Sequence, residues 1–151
     1  MPEVVPCQGP LGARIEGFDR SRANEPETAA LLNRALAEHL LVVVPGRRMA
    51  PQETLAFAQA FGKPRTQLLR YKRSGDVPEV SVMVSTLMAD GTTDKTAIRA
   101  EDWHTDDSYF AIPAKATLLH GIEIPSRGGS TCGSAGRAPP ATRSASRRPV
   151  S

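Results

Sequence analysis

The residues best placed to do chemistry are His104 and Asp106, within Trp103-His104-Thr105-Asp106-Asp107-Ser108-Tyr109. This run reads as extended. Side chains of an extended chain alternate faces, so an imidazole and a carboxylate two residues apart point the same way. Together they can grip one metal ion, while Asp107 points to the other face. They supply two legs of the two-histidine, one-carboxylate facial set found in non-haem Fe(II) oxygenases. The third leg would be a second histidine far downstream. On spacing alone the signal is weak, because surface loops contain His-x-Asp by chance.

The elements around that pair follow from pattern. Residues 1–10 hold two prolines and a glycine and read as a flexible lead-in. Leu11 to Ile15 suits a short strand ended by Gly17. Asn24-Glu25-Pro26-Glu27 reads as a helix start with Asn24 as cap. Leu31, Leu32, Ala35, Leu36 and Leu40 then share one face, which predicts an amphipathic helix over 25–39. His39 near its end is better explained by the helix dipole and terminal carbonyls than by a metal. Leu40 to Val44 is an apolar, mostly β-branched run and predicts a buried strand. Pro51 opens a second helix, with Leu55, Ala58 and Phe61 inward and Gly62 and Pro64 at its end.

Glu79 to Ser85 alternates, with Val80, Val82 and Val84 on one face, and predicts a strand. Residues 86–101 read as a loop. Trp103 to Phe110 is then the strand carrying His104 and Asp106, and Thr117 to Ile124 another. His120 shares a face with Leu118, Ile122 and Ile124, which favours a hydrogen-bonded core histidine over a ligand. The last twenty residues contain one large apolar side chain, Val150, and are rich in Ser, Ala, Arg, Pro and Gly. That composition is characteristic of a disordered segment.

Composition narrows the classes. At 151 residues the chain suits one domain able to bury a core. No apolar run approaches the roughly 18 residues of a membrane span, and no signal-peptide pattern opens the chain, so the expected location is cytoplasmic. Cys7 and Cys132 fit no metal or redox spacing and are expected as reduced thiols. The net charge of +3 comes from the tail. The five arginines between Ser126 and Ser151 (127, 137, 143, 147 and 148) taken from 19 basic residues leave 14 against 16 acidic ones. Those arginines have no aromatic residues among them, which argues against a nucleic-acid partner.

Taken together, several stretches resemble the taurine dioxygenase (TauD/TfdA) family of Fe(II)- and 2-oxoglutarate-dependent dioxygenases. They are Leu11 to Asp19, Glu38-His39-Leu40, Pro45-Gly46, Leu55 to Phe61-Gly62, Glu101 to Tyr109, Pro113 to Pro125 and Gly128-Gly129-Ser130-Thr131. The resemblance runs from about Leu11 to Thr131. It implies an α+β fold with an N-terminal α/β preamble and part of a double-stranded β-helix, a cupin-like jelly roll of about eight strands in full. It implies domain bounds of 11–131, with 132–151 a disordered tail foreign to the family, and it suggests a truncation or reading-frame change near Cys132.

The resemblance also implies the chemistry: O2 and 2-oxoglutarate are consumed, succinate and CO2 form, and a small organic substrate is hydroxylated. His104 and Asp106 match the first two iron ligands. Thr131 matches the threonine that hydrogen-bonds 2-oxoglutarate. The distal histidine and the arginine that clamps 2-oxoglutarate have no match, so the truncated chain alone is expected to be weakly active or inactive. Trp103 is expected to pack beside the metal strand. Ala100 stands where taurine enzymes carry an asparagine, which argues against taurine. An incomplete barrel exposes strand edges, and a homo-oligomer is one outcome. Two rival readings are a divalent-metal hydrolase using His104, Asp106 and Asp107, and a non-catalytic interaction fragment.

Overall fold

The computed structural model describes residues 2–66, 73–84, 90, 103–106, 108–124, 126 and 133–134. They fall into two compact units. One is drawn from residues up to 19, from 34–46 and from those after 123; the other comprises 20–33 and 47–123. Among the described residues no helix is long and apolar enough to cross a membrane.

The first unit is built on a three-stranded sheet in the order β1-β2-β3, with β1 Glu3–Pro6, β2 Ala13–Glu16 and β3 Val42–Val43. β1 runs antiparallel to β2, and β3 runs parallel to it. The residues expected as a loose lead-in therefore contain a strand, because β2 offers Glu3 to Pro6 a ladder partner. In β2, buried Ala13 and Ile15 alternate with exposed Arg14 and Glu16, which pair at 2.7 Å. Gly12 donates to the His39 carbonyl and accepts from Cys7 at a φ of 101°, a left-handed conformation that favours glycine. Cys7 is exposed and free.

Helix α1, Pro26–His39, matches the expected span closely. The Ala29 amide bonds the Glu25 carbonyl, so Glu25 caps the helix and Pro26 is its first residue. Asn24, expected as the cap, instead donates its amide to the Ala56 carbonyl at 2.7 Å. Leu32 and Ala35 are buried, with Leu31 and Leu36 half-buried beside them. Burying a leucine stabilises a fold by about 1.5–3 kcal/mol. Leu40 does not continue that face. It adopts φ 64°, is 59% exposed, and turns the chain toward β3. The expected strand over 40–44 shrinks to two residues, and Leu41 and Val43 are exposed, so it is not a buried strand.

The second unit contains a 3₁₀ turn at Arg20–Arg22, α2 at Pro51–Gln59 and a hairpin of β4 Arg73–Ser74 with β5 Val77–Ser81. Pro51 opens α2 as expected. Its buried residue is Phe57, and Ala60, the residue capping its C-terminal end, is buried one turn on; Leu55 and Ala58 within the helix and Phe61 beyond it are half-buried. Phe57 meets Phe61 edge-on, with centroids 5.9 Å apart. β5 starts earlier than expected and stops at Ser81, leaving Val82 and Val84 exposed beyond it. Gly75 at φ 45°, followed by Asp76, makes the β4–β5 turn; a Gly-Asp pair is a hairpin signal the strand pattern alone had not used.

Candidate functional site

The described residues of 103–124 form neither of the two expected strands, over Trp103–Phe110 and Thr117–Ile124. An extended chain becomes a strand only when a neighbour takes its N–H and C=O groups, and no described residue forms a ladder with this stretch. His104 and Asp106 nevertheless meet. His104 Nε2 lies 3.3 Å from Asp106 Oδ1, and each side chain is about half exposed, at 51% and 50%. Turning the chain at Asp106 brings together what strand alternation was expected to align.

That separation fits one shared cation. Two ligands about 2.1 Å from an ion on adjacent octahedral corners lie about 3.0 Å apart. An imidazole nitrogen and a carboxylate oxygen are also the donor types that suit iron. The fit extends to two ligands: among the described residues no group of three His, Cys, Asp or Glu could hold a metal ion. Asp107, Ala100, Thr131 and the 86–101 loop, Asp90 apart, lie outside the described residues, as does most of the 132–151 tail. Trp103, expected to pack beside the metal residues, is 74% exposed.

Side chains anchor the stretch that carries the pair. Arg65 Cζ lies 4.1 Å from the centroid of the Phe110 ring, and Arg65 Nη2 donates to the Ile112 carbonyl at 2.8 Å. A cation over an aromatic face is worth about 0.5–1 kcal/mol at an exposed site. Tyr109 packs against Phe110 at 4.7 Å. Lys115 Nζ donates to Asn33 Oδ1. Asn33 in turn donates to the Ala29 and Ala60 carbonyls, each at 2.7 Å. His120 is half-buried, and its Nε2 accepts the Met49 N–H at 3.3 Å. An Nε2 that accepts places the ring proton on Nδ1. His120 is thus hydrogen-bonded as expected, but it is not a core residue: no described residue here forms a strand, and Ile122 and Ile124 of its expected apolar face are exposed. His39 sits in the last turn of α1, where a helix terminus was the expected explanation.

The head of α2 is a second charged cluster. Glu53 accepts from the Ala50 N–H at 2.8 Å and from Arg47 through both guanidinium nitrogens. The Arg47 hydrogen bond, then the Ala50 amide, lowers the Glu53 carboxyl from 4.5 to about 2. The sequence reading missed Asn33, Lys115, Arg65 and this cluster. Asn33 was detectable in principle, as a polar residue next to Leu32 near the buried stripe of α1.

Comparison with known proteins follows the same lines. The model of the family described as taurine catabolism dioxygenase TauD, TfdA family matches residues 3–138. The (S)-phenoxypropionate/alpha-ketoglutarate-dioxygenase of Delftia acidovorans is 26% identical over 141 residues, covering 86% of this chain and 45% of that protein. The alpha-ketoglutarate-dependent sulfate ester dioxygenase of Pseudomonas putida is 28% identical over 130 residues, covering 85% and 40%. The crystal structure of AAD-2 in complex with Mn(II) and N-oxalylglycine superposes with a TM-score of 0.51 at 21% identity, over 76% of this chain and 39% of that one. The chain spans less than half the length of these relatives.

Proposed function

The chain belongs to the TauD/TfdA family of 2-oxoglutarate-dependent dioxygenases, and from that premise we propose that it works as the N-terminal part of an Fe(II)-dependent hydroxylase of a small organic substrate. The observation that carries this reading is the meeting of His104 Nε2 and Asp106 Oδ1 in a half-exposed position. In it, His104 and Asp106 would hold the iron, and Thr131 would hydrogen-bond the 2-oxoglutarate carboxylate. The iron, when bound, couples O2-driven decarboxylation of 2-oxoglutarate to hydroxylation of the substrate. To bind a metal, His104 would have to present an unprotonated nitrogen and Asp106 an ionised carboxylate. Trp103 and Tyr109, both exposed beside the pair, offer apolar surface to an organic substrate. Family domain bounds of 11–131 belong to the same proposal, and the family match extends beyond them on both sides.

Anaerobic titration of the chain with Fe(II) and 2-oxoglutarate tests it. A visible metal-to-ligand charge-transfer band should form and should vanish in His104→Ala. Losing a ligand should weaken metal binding by at least the roughly 10–100-fold typical of losing a residue that merely supports one. A folded sample that gives no band would sink the reading. With a band in hand, aryloxyalkanoates and alkyl sulfate esters are the first substrates to offer, and taurine, given Ala100, should be turned over least.

A further inference from the structure

The anchors of the 103–124 stretch fall in a definite order along α2. Ile112 is tied to Arg65, beyond the C-terminal end of the helix. Lys115 is tied through Asn33 to Ala60, the last cap residue. His120 is tied to Met49, just before the first. As the chain runs from 112 to 120, its partners run from 65 back to 49. The stretch therefore travels antiparallel to the helix axis.

Lengths agree with that course. Helix α2 rises about 12 Å over the eight steps from Pro51 to Gln59, at about 1.5 Å each. Five steps from Lys115 to His120 span about 16 Å when extended, at about 3.3 Å each, enough to run the length of the helix. In an extended run Lys115 and His120 start on opposite faces. The chain bends at Lys115, and the long lysine side chain reaches back to Asn33 while His120 faces in.

We propose that Lys115 and His120 are positioning residues: a two-point clamp that holds 115–120 extended along α2 and so fixes where His104 and Asp106 present their ligand atoms. The proposal rests on the metal role given to those two residues above. Phe110 under Arg65 lies four residues after Asp106 and carries the constraint from the clamp to the pair. Both bonds are specific in direction. The clamp needs a donor at 115 and an acceptor at 120, so a conservative replacement keeps it and an apolar one of similar volume does not.

The test uses the whole chain and four variants: Lys115→Met and His120→Leu, which remove the bonds, and Lys115→Arg and His120→Gln, which keep a donor and an acceptor. Amide hydrogen exchange is read without metal, then Fe(II) and 2-oxoglutarate are titrated on the same samples. His120→Leu should speed exchange of the Met49 amide, the donor to His120 Nε2, by about tenfold, the equivalent of one lost hydrogen bond, with helix α1 unchanged and His120→Gln close to wild type. Both apolar variants should weaken Fe(II) binding about tenfold, with both conservative variants close to wild type. An unchanged Met49 amide in His120→Leu would overturn the clamp. Fast exchange with Fe(II) affinity still at the wild-type level would overturn the positioning role. If the wild-type chain binds no iron, the proposed function fails by itself, and the exchange data still decide whether the clamp exists.

Discussion

Two regions of this molecule are ordered by different means. The helices α1 and α2 and the β1–β2–β3 sheet satisfy their backbone groups through their own ladders and turns. The described part of 103–124, which carries the proposed metal pair, forms no ladder with a described residue; Arg65 and the Met49 amide donate to it, and its Lys115 donates to Asn33. A ladder spreads its stability over many similar bonds, so single changes are diluted. A tethered stretch concentrates it in a few, so single changes are felt locally. The 103–124 stretch should thus open at a lower free energy than those helices and that sheet.

The largest expected effect would break that contrast. Phe57 is buried in α2 and packs on Phe61. Phe57→Ala should cost about 3–5 kcal/mol, read as a lower urea midpoint. Because His120 accepts the Met49 amide just before α2, exchange at Met49 and along α2 should rise together. If the Met49 amide kept its protection while α2 lost its own, the His120 bond would not depend on the helix.

A smaller change sharpens the contrast from the scaffold side. Leu40 holds a left-handed backbone conformation that costs a side-chain-bearing residue about 1–2 kcal/mol, and it is largely exposed. Leu40→Gly should raise the global unfolding free energy by about 1 kcal/mol. Exchange in 103–124 should not change, since local opening does not depend on that residue. A destabilised variant would mean that the Leu40 side chain packs to more effect than its exposure suggests.

The smallest effect concerns acid. The folded-state value of Glu53, about 2, lies below its ordinary 4.5. Its contribution is therefore fully present above pH 4.5 and is lost as pH falls toward about 2. The first turn of α2 should fray across that window, and Glu53→Gln should remove this part of the pH dependence. Amide exchange at residues 50–54 between pH 5 and pH 2 checks it, and equal slopes for both proteins would refute it. The pair is exposed, so the change should be local and weakened by salt.

What could be read in the sequence divides along the same line. Helix α1 was legible because four leucines and Ala35 repeat at helical spacing, and α2 because Pro51 and Gly62 bracket it. The family was legible from residue types in order. The proximity of His104 and Asp106 was anticipated, though from a strand that the described residues do not form, and the hydrogen bond of His120 was anticipated, though inside a core, where it does not lie. The pairing around the metal residues was not legible, because alternation describes a strand's faces and says nothing about whether a neighbour is there to pair with. Asn24 was misassigned because an asparagine amide can cap its own helix or reach another, and here it reaches Ala56. The tethers were invisible for a related reason: Asn33 and Lys115 are 82 residues apart, and no local pattern links them.

The interval between Lys115 and His120 has a consequence for how this region tolerates change. Its two ends are pinned against a helix of fixed length, so the count of residues between them is a structural quantity in its own right. Inserting or deleting one residue shifts the chain by about 3.3 Å and turns every following side chain to the other face. Exposed positions such as Ala116 and Thr117 can then vary in identity while the spacing cannot. Related chains that differ here should differ by substitution and hardly ever by an indel, and a loop graft that keeps the sequence character but changes the length should fail.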